Sequence, residues 1–192
     1  MTTELDVKDV GTMGKMDTFL RRSMSEQAYE TYRDIIGKLP DIWERPTSST
    51  GKYHRRKDGT VPTCAEHTYE MVVACAKVMR LFPLCKPPSS LADSLLLATA
   101  LHDAMKYGAD GDRTHTDNEH DKRMADWLKE NLSVNSGVDN SILVEIVRYH
   151  SGQWSTNARK NDYSPHTCDG AVLFVHVLDM LSTANMLSSE GA

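Results

Sequence analysis

The sequence predicts a single all-α domain of about six or seven helices. Apolar residues recur at helical spacing in most of the chain, and no segment alternates convincingly like a strand outside the turn at Asp58-Gly59. A chain of 192 residues is also long enough to bury a sizeable core. We therefore expect one domain over residues 17–192, preceded by a mobile polar tail over residues 1–16.

Charge and composition exclude several classes of protein. A net charge of −5 argues against wrapping of duplex DNA, because phosphate binding needs a dense basic surface. No apolar run approaches the length of a membrane span, and the N-terminus has no apolar signal segment. The four cysteines lack Cys-x-x-Cys spacing and are interpreted as free thiols: Cys64, Cys75, Cys85 and Cys168. We expect a cytoplasmic protein without membrane contact, and a homo-oligomer remains open.

Spacing and helix breakers place the elements. Residues 17–39 are predicted to be helical, with a capping box at Ser23-x-x-Glu26 that could split the segment, and Pro40 closes it. Further helices are predicted over residues 66–81, over residues 91–107 with a stop at Gly108, from His120 onward, and over residues 139–149 and 171–187. Residues 40–62 and 151–168 are the two long loops.

The pair His102-Asp103 lies in the most apolar of these segments. Burying an imidazole beside a carboxylate is costly unless something binds them. A divalent metal would do so, since neutral imidazole nitrogens and carboxylate oxygens are good ligands for first-row metals. The alternative is a core histidine with a hydrogen-bonded aspartate. Lys106 follows on a neighbouring face, where it would contact an anion held by the metal.

Further histidines and an aspartate favour the metal interpretation. His67 begins a core-facing stripe, and Asp179 interrupts an apolar helix three residues after His176. His120 and His150 lie where helices meet loops. Packing at a helix start remains an alternative for His120, and a favourable helix dipole remains one for His150. For His176 we expect a supporting hydrogen bond rather than direct ligation.

The order of His67, His102-Asp103 and Asp179 in a helical chain resembles the HD superfamily of metal-dependent phosphohydrolases. The similarity is to the HD domain of bacterial 3′ to 5′ exoribonucleases and to small phage-type HD proteins, and it covers about residues 51–183. The matching motifs are Gly51-Lys52-Tyr53-His54, Glu66-His67-Thr68, Leu101-His102-Asp103-x-x-Lys106 and Val175-His176-Val177-Leu178-Asp179. Two positions depart from it. The helix start at His120 resembles the family's His-x-x-x-Gly-Ala-x-x-Leu pattern, but Met124 stands where glycine is usual. The segment His150-Ser151-Gly152 resembles a His-His-Gly segment, with Ser151 in place of the second histidine.

The resemblance implies a metal site at the centre of the bundle. One ion would be held by His67, His102, Asp103 and Asp179. A second would be held by His120 and His150, with Asp103 as the bridge. The donor set permits manganese, iron, cobalt or zinc, with magnesium possible for a single ion. Asp103 and Lys106 would be the catalytic residues, with Lys106 stabilising negative charge on a phosphoryl oxygen.

Two loops carry candidate substrate-binding residues. Lys52, Tyr53 and His54 would form a phosphate clamp, although a solvated basic loop fits the same residues. Trp154 with Arg159 and Lys160 resembles a lid that stacks on a base and contacts phosphate, and an ordinary surface loop is the alternative. His115 is expected to be solvated.

The function expected from the resemblance is hydrolysis of a phosphoester in a nucleotide or short oligonucleotide by metal-activated hydroxide. The exoribonucleases carry a further nucleic-acid-binding domain upstream, for which this chain has no room. A 3′ to 5′ exonuclease acting on longer single-stranded RNA or DNA is therefore the second choice. A third possibility, of another class, is a non-catalytic nucleotide-binding module with an incomplete metal site.

Overall fold

The computed structural model describes residues 11–52, 54–82, 89–154 and 170–184. In these ranges the chain forms α-helices and one short 3₁₀ helix at Gly152–Trp154: α1 Thr12–Ser23, α2 Glu26–Ile36, α3 Cys64–Met79, α4 Ser90–Leu101, α5 His120–Asn131, α6 Asn140–Tyr149 and α7 Gly170–Thr183. Strand pairing in the described residues is limited to an isolated bridge between Pro46 and Thr63. The predicted all-α bundle is confirmed. None of the described helices is both long enough and apolar enough to cross a membrane.

Helix α4 is the centre of the bundle. Every residue from Ala92 to Leu101 is buried, and the helix packs against α2, α3, α6 and α7. A helix that is apolar on all sides is stable only when other helices surround it. The Ser89 side chain caps its first turn by accepting a hydrogen bond from the Ala92 amide. The chain that leaves α4 therefore enters the middle of the protein.

Local caps fix where the surrounding helices begin. Thr63 and Glu66 form a reciprocal capping box at the start of α3, which sets His67 in the first turn of that helix. Asp139 caps α6 by accepting hydrogen bonds from the Ser141 and Ile142 amides. The positions of the site residues thus follow from capping signals written in the sequence.

The predicted tail over residues 1–16 is wrong at its C-terminal end, because α1 begins at Thr12. Met16 and Leu20 are fully buried, and α1 packs against α3. Two glycines and few apolar residues give this segment weak local helix signals, so packing against α3 stabilises it instead. The predicted split before α2 occurs, but Ser25 rather than Ser23 is the capping residue.

The predicted helix over residues 91–107 is too long. α4 ends at Leu101, and residues 102–107 continue as tight turns with hydrogen bonds between residues three apart, from Lys106 N to Asp103 O (2.9 Å) and from Gly108 N to Met105 O (2.9 Å). In such turns side chains three residues apart are eclipsed, which brings Lys106 directly over Asp103. The segment ends at Gly108, whose φ of 88° favours glycine.

We predict that Met16→Ala lowers the free energy of unfolding by about 2–4 kcal/mol, because it removes a fully buried side chain between α1 and α3. Met180→Ala is the matched control, since Met180 is 38% exposed and its loss removes little packing. Urea denaturation of both variants gives the comparison. Equal stability of Met16→Ala and wild type would restore the interpretation of this region as a tail.

Candidate metal centre

The six residues predicted as metal ligands lie together where helix ends meet. His67 comes from the first turn of α3, His102 and Asp103 from the turn after α4, His120 from the start of α5, His150 from the end of α6, and Asp179 from α7. Their side chains form overlapping groups: His67, His102 and Asp103; Asp103, His120 and His150; and a group of His67 and Asp179 with His54. Within each group the ligand atoms lie within 4.8 Å of one another, so these groups could hold a metal ion.

Asp103 joins the first two groups through different oxygens. Its Oδ2 lies 3.4 Å from Nε2 of His102 and 3.6 Å from Nε2 of His67. Its Oδ1 lies 3.0 Å from Nε2 of His120 and 3.7 Å from Nε2 of His150. The side chain of Asp103 is 2% exposed. One buried carboxylate therefore faces a pair of imidazoles on each side.

Hydrogen bonds to backbone carbonyls place a proton on Nδ1 of three of these rings. Nδ1 of His102 bonds the Thr99 carbonyl, Nδ1 of His120 bonds the Asp117 carbonyl, and Nδ1 of His150 bonds the Val147 carbonyl, each at 2.7 Å and each three residues upstream. A carbonyl oxygen can only accept, so the proton is on Nδ1. In the neutral rings Nε2 then offers a lone pair toward the centre.

These Nε2 atoms lie very close to one another. The Nε2 atoms of His67 and His102 are 3.2 Å apart, and those of His120 and His150 are 3.3 Å apart. Because the protons of His102, His120 and His150 are committed to carbonyls, the facing lone pairs of His120 and His150 repel one another unless a cation lies between them. The cluster therefore has the donor geometry of a cation site.

Asp179 closes the first group from α7. Its Oδ1 is buried and lies 3.4 Å from Nε2 of His67, without the geometry of a hydrogen bond. Burial raises the pKa of Asp179, but the contact with His67 and the charge of His102 outweigh it and lower the pKa below its usual value. A buried, ionised carboxylate oxygen without a hydrogen bond is well suited to bind a cation.

Lys106 supplies a positive charge beside Asp103, and its ammonium donates a hydrogen bond to Oδ2. Burial raises the pKa of Asp103, but the charge of Lys106 and the contacts with His102 and His120 outweigh it and hold that pKa well below its usual value. Burial lowers the pKa of Lys106, but the charges of Asp103 and Asp179 raise it more. Lys106 is therefore protonated at neutral pH and cannot be a metal ligand.

His54 lies inside the cluster, although the sequence suggested a place in a phosphate clamp. His54 is 9% exposed, and its ring centroid lies 4.5 Å from the ring centroid of His67. Burial and the charges of His67 and Lys106 lower the pKa of His54 to about 3, which keeps the ring neutral. The position of the Gly51–His54 motif just upstream of α3 was the one sequence signal that His54 lies near His67. Spacing along the chain does not show which way a loop turns, so it could not place the His54 ring in the cluster.

The remaining described residues predicted to bind substrate, Lys52 and Trp154, are not part of the cluster of ligand atoms. Lys52 is exposed in the loop before α3. Trp154 is 48% exposed and its ring centroid lies 5.8 Å from that of His176, whose Nδ1 donates to the His150 carbonyl at 2.7 Å. The supporting role expected for His176 therefore has a partner in the structure. Tyr53, Arg159 and Lys160 lie outside the described residues.

A glycine allows α7 to approach the end of α6. Gly152 has a φ of 54°, and a Cβ atom there would lie 2.4 Å from the His176 ring. Any side chain at this position would displace His176 from its hydrogen bond with the His150 carbonyl. The glycine of the His150-Ser151-Gly152 segment therefore has a packing role beside the site.

Two supporting residues were missed by the sequence analysis. Ser182 Oγ lies 2.9 Å from Nδ1 of His67. It follows Asp179 by three residues and therefore shares its helix face, which was a usable signal. Asp117 ties the loop before α5 to the site, because its amide donates to the Lys106 carbonyl at 2.7 Å and its carboxylate accepts from Arg123 Nε at 2.6 Å.

Comparisons of the chain with protein-family models, with curated proteins and with solved structures found no match. The resemblance to the HD superfamily accordingly stays a prediction, and the functional argument is based on the geometry of the cluster.

We predict that Asp117→Asn lowers the free energy of unfolding by about 1–2 kcal/mol at pH 7, because charged hydrogen bonds to Arg123 and the Glu119 amide are weakened. The arginines are half-exposed, so the loss is smaller than for a fully buried pair. Burial raises the pKa of Asp117, but these partners outweigh it and lower the pKa.

The stabilisation by Asp117 is consequently present above the unfolded carboxyl pKa of about 4 and is lost as pH falls toward the lower folded value. Denaturation at pH 7 and at about pH 3 measures this change. The difference between variant and wild type should shrink at the lower pH. Asp110→Asn, in the exposed part of the same loop, should show no such change. A pH-independent difference would contradict the assignment.

Proposed function

We propose that this protein is a metal-dependent phosphohydrolase that cleaves a phosphoester of a nucleotide or a short oligonucleotide. The observation that carries the proposal is the fixed orientation of His102, His120 and His150, whose Nε2 atoms converge on the buried carboxylate of Asp103. In a ring that carries a single proton on Nδ1, Nε2 presents a lone pair to this centre, as a metal ligand does.

The donor set supports transition metals more than magnesium. The two groups that share Asp103 are rich in imidazole, which suits manganese, iron, cobalt, nickel or zinc, whereas magnesium prefers oxygen ligands and keeps several waters. The two oxygens of Asp103 favour two ions over one. His67 and His102 would complete one position, with Asp179 reaching it beside His67, and His120 and His150 would complete the other.

The ions would supply a hydroxide nucleophile at neutral pH and neutralise charge on the phosphoryl group. The chain itself contributes position and charge. Asp103 fixes the spacing of the two ligand groups, and the carbonyls of Thr99, Asp117 and Val147 orient the rings. The ammonium of Lys106 lies at the same carboxylate, where it would stabilise negative charge on a phosphoryl oxygen.

Electrostatics favour a short substrate over a long strand. In the described loop before α3, two arginines are engaged within the protein: Arg55 Nη1 donates to the Gly59 carbonyl, and Arg56 pairs with Glu70. A groove that tracks a long backbone needs a row of exposed cations. With a net charge of −5, a single phosphate group at Lys106 is the better match. Trp154, half-exposed, is available to stack on a base.

The test is a screen of protein purified without chelator. Metal content is measured first, and phosphate release or chain cleavage is then measured with nucleoside mono-, di- and triphosphates, cyclic nucleotides and short single strands. Turnover of nucleotides or short strands with manganese or cobalt supports the proposal. Metal binding without turnover of any phosphoester would identify a non-catalytic binding module, and turnover only of long strands would identify an exonuclease.

We predict that Asp103→Asn abolishes hydrolysis and lowers metal content, because an amide cannot bridge two cations as a carboxylate does. Lys106→Met keeps the aliphatic stem of the side chain and removes its charge. It should leave metal bound and slow turnover by roughly a hundredfold, as loss of an oxyanion stabiliser does. Atomic absorption gives the metal content and initial rates give the turnover. Full activity of Asp103→Asn would exclude the metal mechanism.

A further prediction separates two ions from one. His120→Ala or His150→Ala should reduce the metal content from about two ions per chain toward one, because the group of His67, His102, Asp103 and Asp179 is left intact. Activity should fall in both variants, since a two-ion site stabilises the attacking and leaving oxygens together. Unchanged stoichiometry in both variants would show that these histidines do not hold a second ion.

A further inference from the structure

We propose that His54 is a fifth protein ligand of the ion held by His67, His102, Asp103 and Asp179, and not part of a substrate clamp. The inference rests on the proposed metal centre and assigns a residue that lies outside the helices. Three observations support it: the position of the His54 ring, the missing hydrogen bond at the Asp179 carboxylate beside it, and the backbone conformation of His54.

The ring of His54 lies beside two of the proposed ligands. His54, His67 and Asp179 each present a ligand atom within 4.8 Å of the other two. The rings of His54 and His67 are T-shaped, with centroids 4.5 Å apart and an interplanar angle of 70°. The His54 ring therefore lies directly beside the ring of a residue predicted to be a metal ligand.

The carboxylate in this group is under-satisfied within the described part of the protein. Asp179 Oδ1 is buried without a hydrogen bond. The hydroxyl that could compensate it, Thr183 Oγ1, donates instead to the Asp179 backbone carbonyl at 2.9 Å and lies 3.4 Å from His54 Nδ1. A buried anionic oxygen and an imidazole nitrogen within 4.8 Å, neither bonded to the other, are accounted for by a cation between them.

The backbone of His54 is also held in an unusual conformation. Its φ of 57° is the one positive value at a non-glycine position among the described residues. The left-handed region costs free energy for a residue with a Cβ, and such strain is kept where the surrounding structure holds a side chain in place. Here it turns the His54 ring inward to 9% exposure, while Lys52 two residues earlier is exposed.

A single ion serves both groups that contain His67. Nδ1 of His67 bonds Ser182, so His67 offers one nitrogen, Nε2, to the centre. We infer that an ion bound at this nitrogen would draw on both groups that contain His67, namely His54–His67–Asp179 and His67–His102–Asp103. Five side chains would hold the first ion, whereas three, Asp103, His120 and His150, would hold the second, so fewer protein ligands would surround the second ion. The substrate phosphate would accordingly bind at the second ion.

The experiment measures metal affinity, independently of activity. Chelator-stripped wild type, His54→Gly and His115→Gly are titrated with Co²⁺ in competition with a chromophoric chelator, and the visible spectrum of the Co²⁺ protein is recorded. Glycine relieves the positive φ, so the His54 variant should fold. His115→Gly removes an exposed histidine from another loop and is the matched control.

We expect His54→Gly to bind its tighter Co²⁺ ion about tenfold more weakly or worse, a loss at least that of removing an outer partner of a ligand. Its spectrum should change, and added imidazole should restore both affinity and spectrum by filling the place of the side chain. His115→Gly should match wild type. The thermal midpoint of metal-free His54→Gly should stay close to that of wild type.

Other results would overturn the assignment. Unchanged Co²⁺ affinity with a raised KM for phosphoester would place His54 in a substrate clamp. Unchanged affinity with a lowered midpoint of the metal-free protein would make its role structural. In both cases wild type still binds metal, so only the inference about His54 fails. Absence of Co²⁺ binding by wild type would overturn the proposed metal centre and, with it, this assignment.

Discussion

The structure depends on how a negative charge at Asp103 is kept in the interior. An ionised carboxylate that is 2% exposed is tolerated only when hydrogen-bond donors or cations surround it. Lys106 pairs with one oxygen, and four imidazoles face the carboxylate from its two sides. His102 and Lys106 lie in the same turn as Asp103, and the other three come from α3, α5 and the end of α6. The arrangement of α3 to α6 is therefore also the arrangement of the partners of Asp103.

Helix ends perform two tasks in this arrangement. The last carbonyls of a helix have no partner inside it, and in α4 and α6 the carbonyls of Thr99 and Val147 accept from the histidine that follows the helix. The same hydrogen bonds fix the proton on Nδ1 and turn Nε2 toward the centre. Satisfying the backbone and orienting the candidate ligands are thus one interaction. The loop before α3 places His54 beside His67 and Asp179, on the side of the cluster away from His120 and His150 in the grouping of ligand atoms.

Much of this could be predicted because it depends on local signals. Binary patterning gave the helices, and the Thr63–Glu66 capping box, the apolar α4 segment and the Asp139 cap position the site residues. The errors were at places where the local signal is weak or ambiguous. Met16 follows two glycines and is ordered by α3, and residues 102–107 keep helical composition but adopt tighter turns so that Lys106 covers Asp103. The predictions for residues 155–169 cannot be compared with the structure, since these residues lie outside the described ranges.

By itself, the sequence determined an all-α bundle and which residues lie at its centre, because periodicity and caps are properties of short segments. The family resemblance implied how those residues divide, but only the tertiary structure gives the distances between them. The two oxygens of Asp103 face different histidine pairs, and the closeness of Nε2 atoms from residues 30 or more apart in sequence follows from helix packing. His54 shows the same limit, since its place depends on a left-handed turn in a loop without periodicity. Such a turn depends on long-range contacts, which spacing along the chain does not encode.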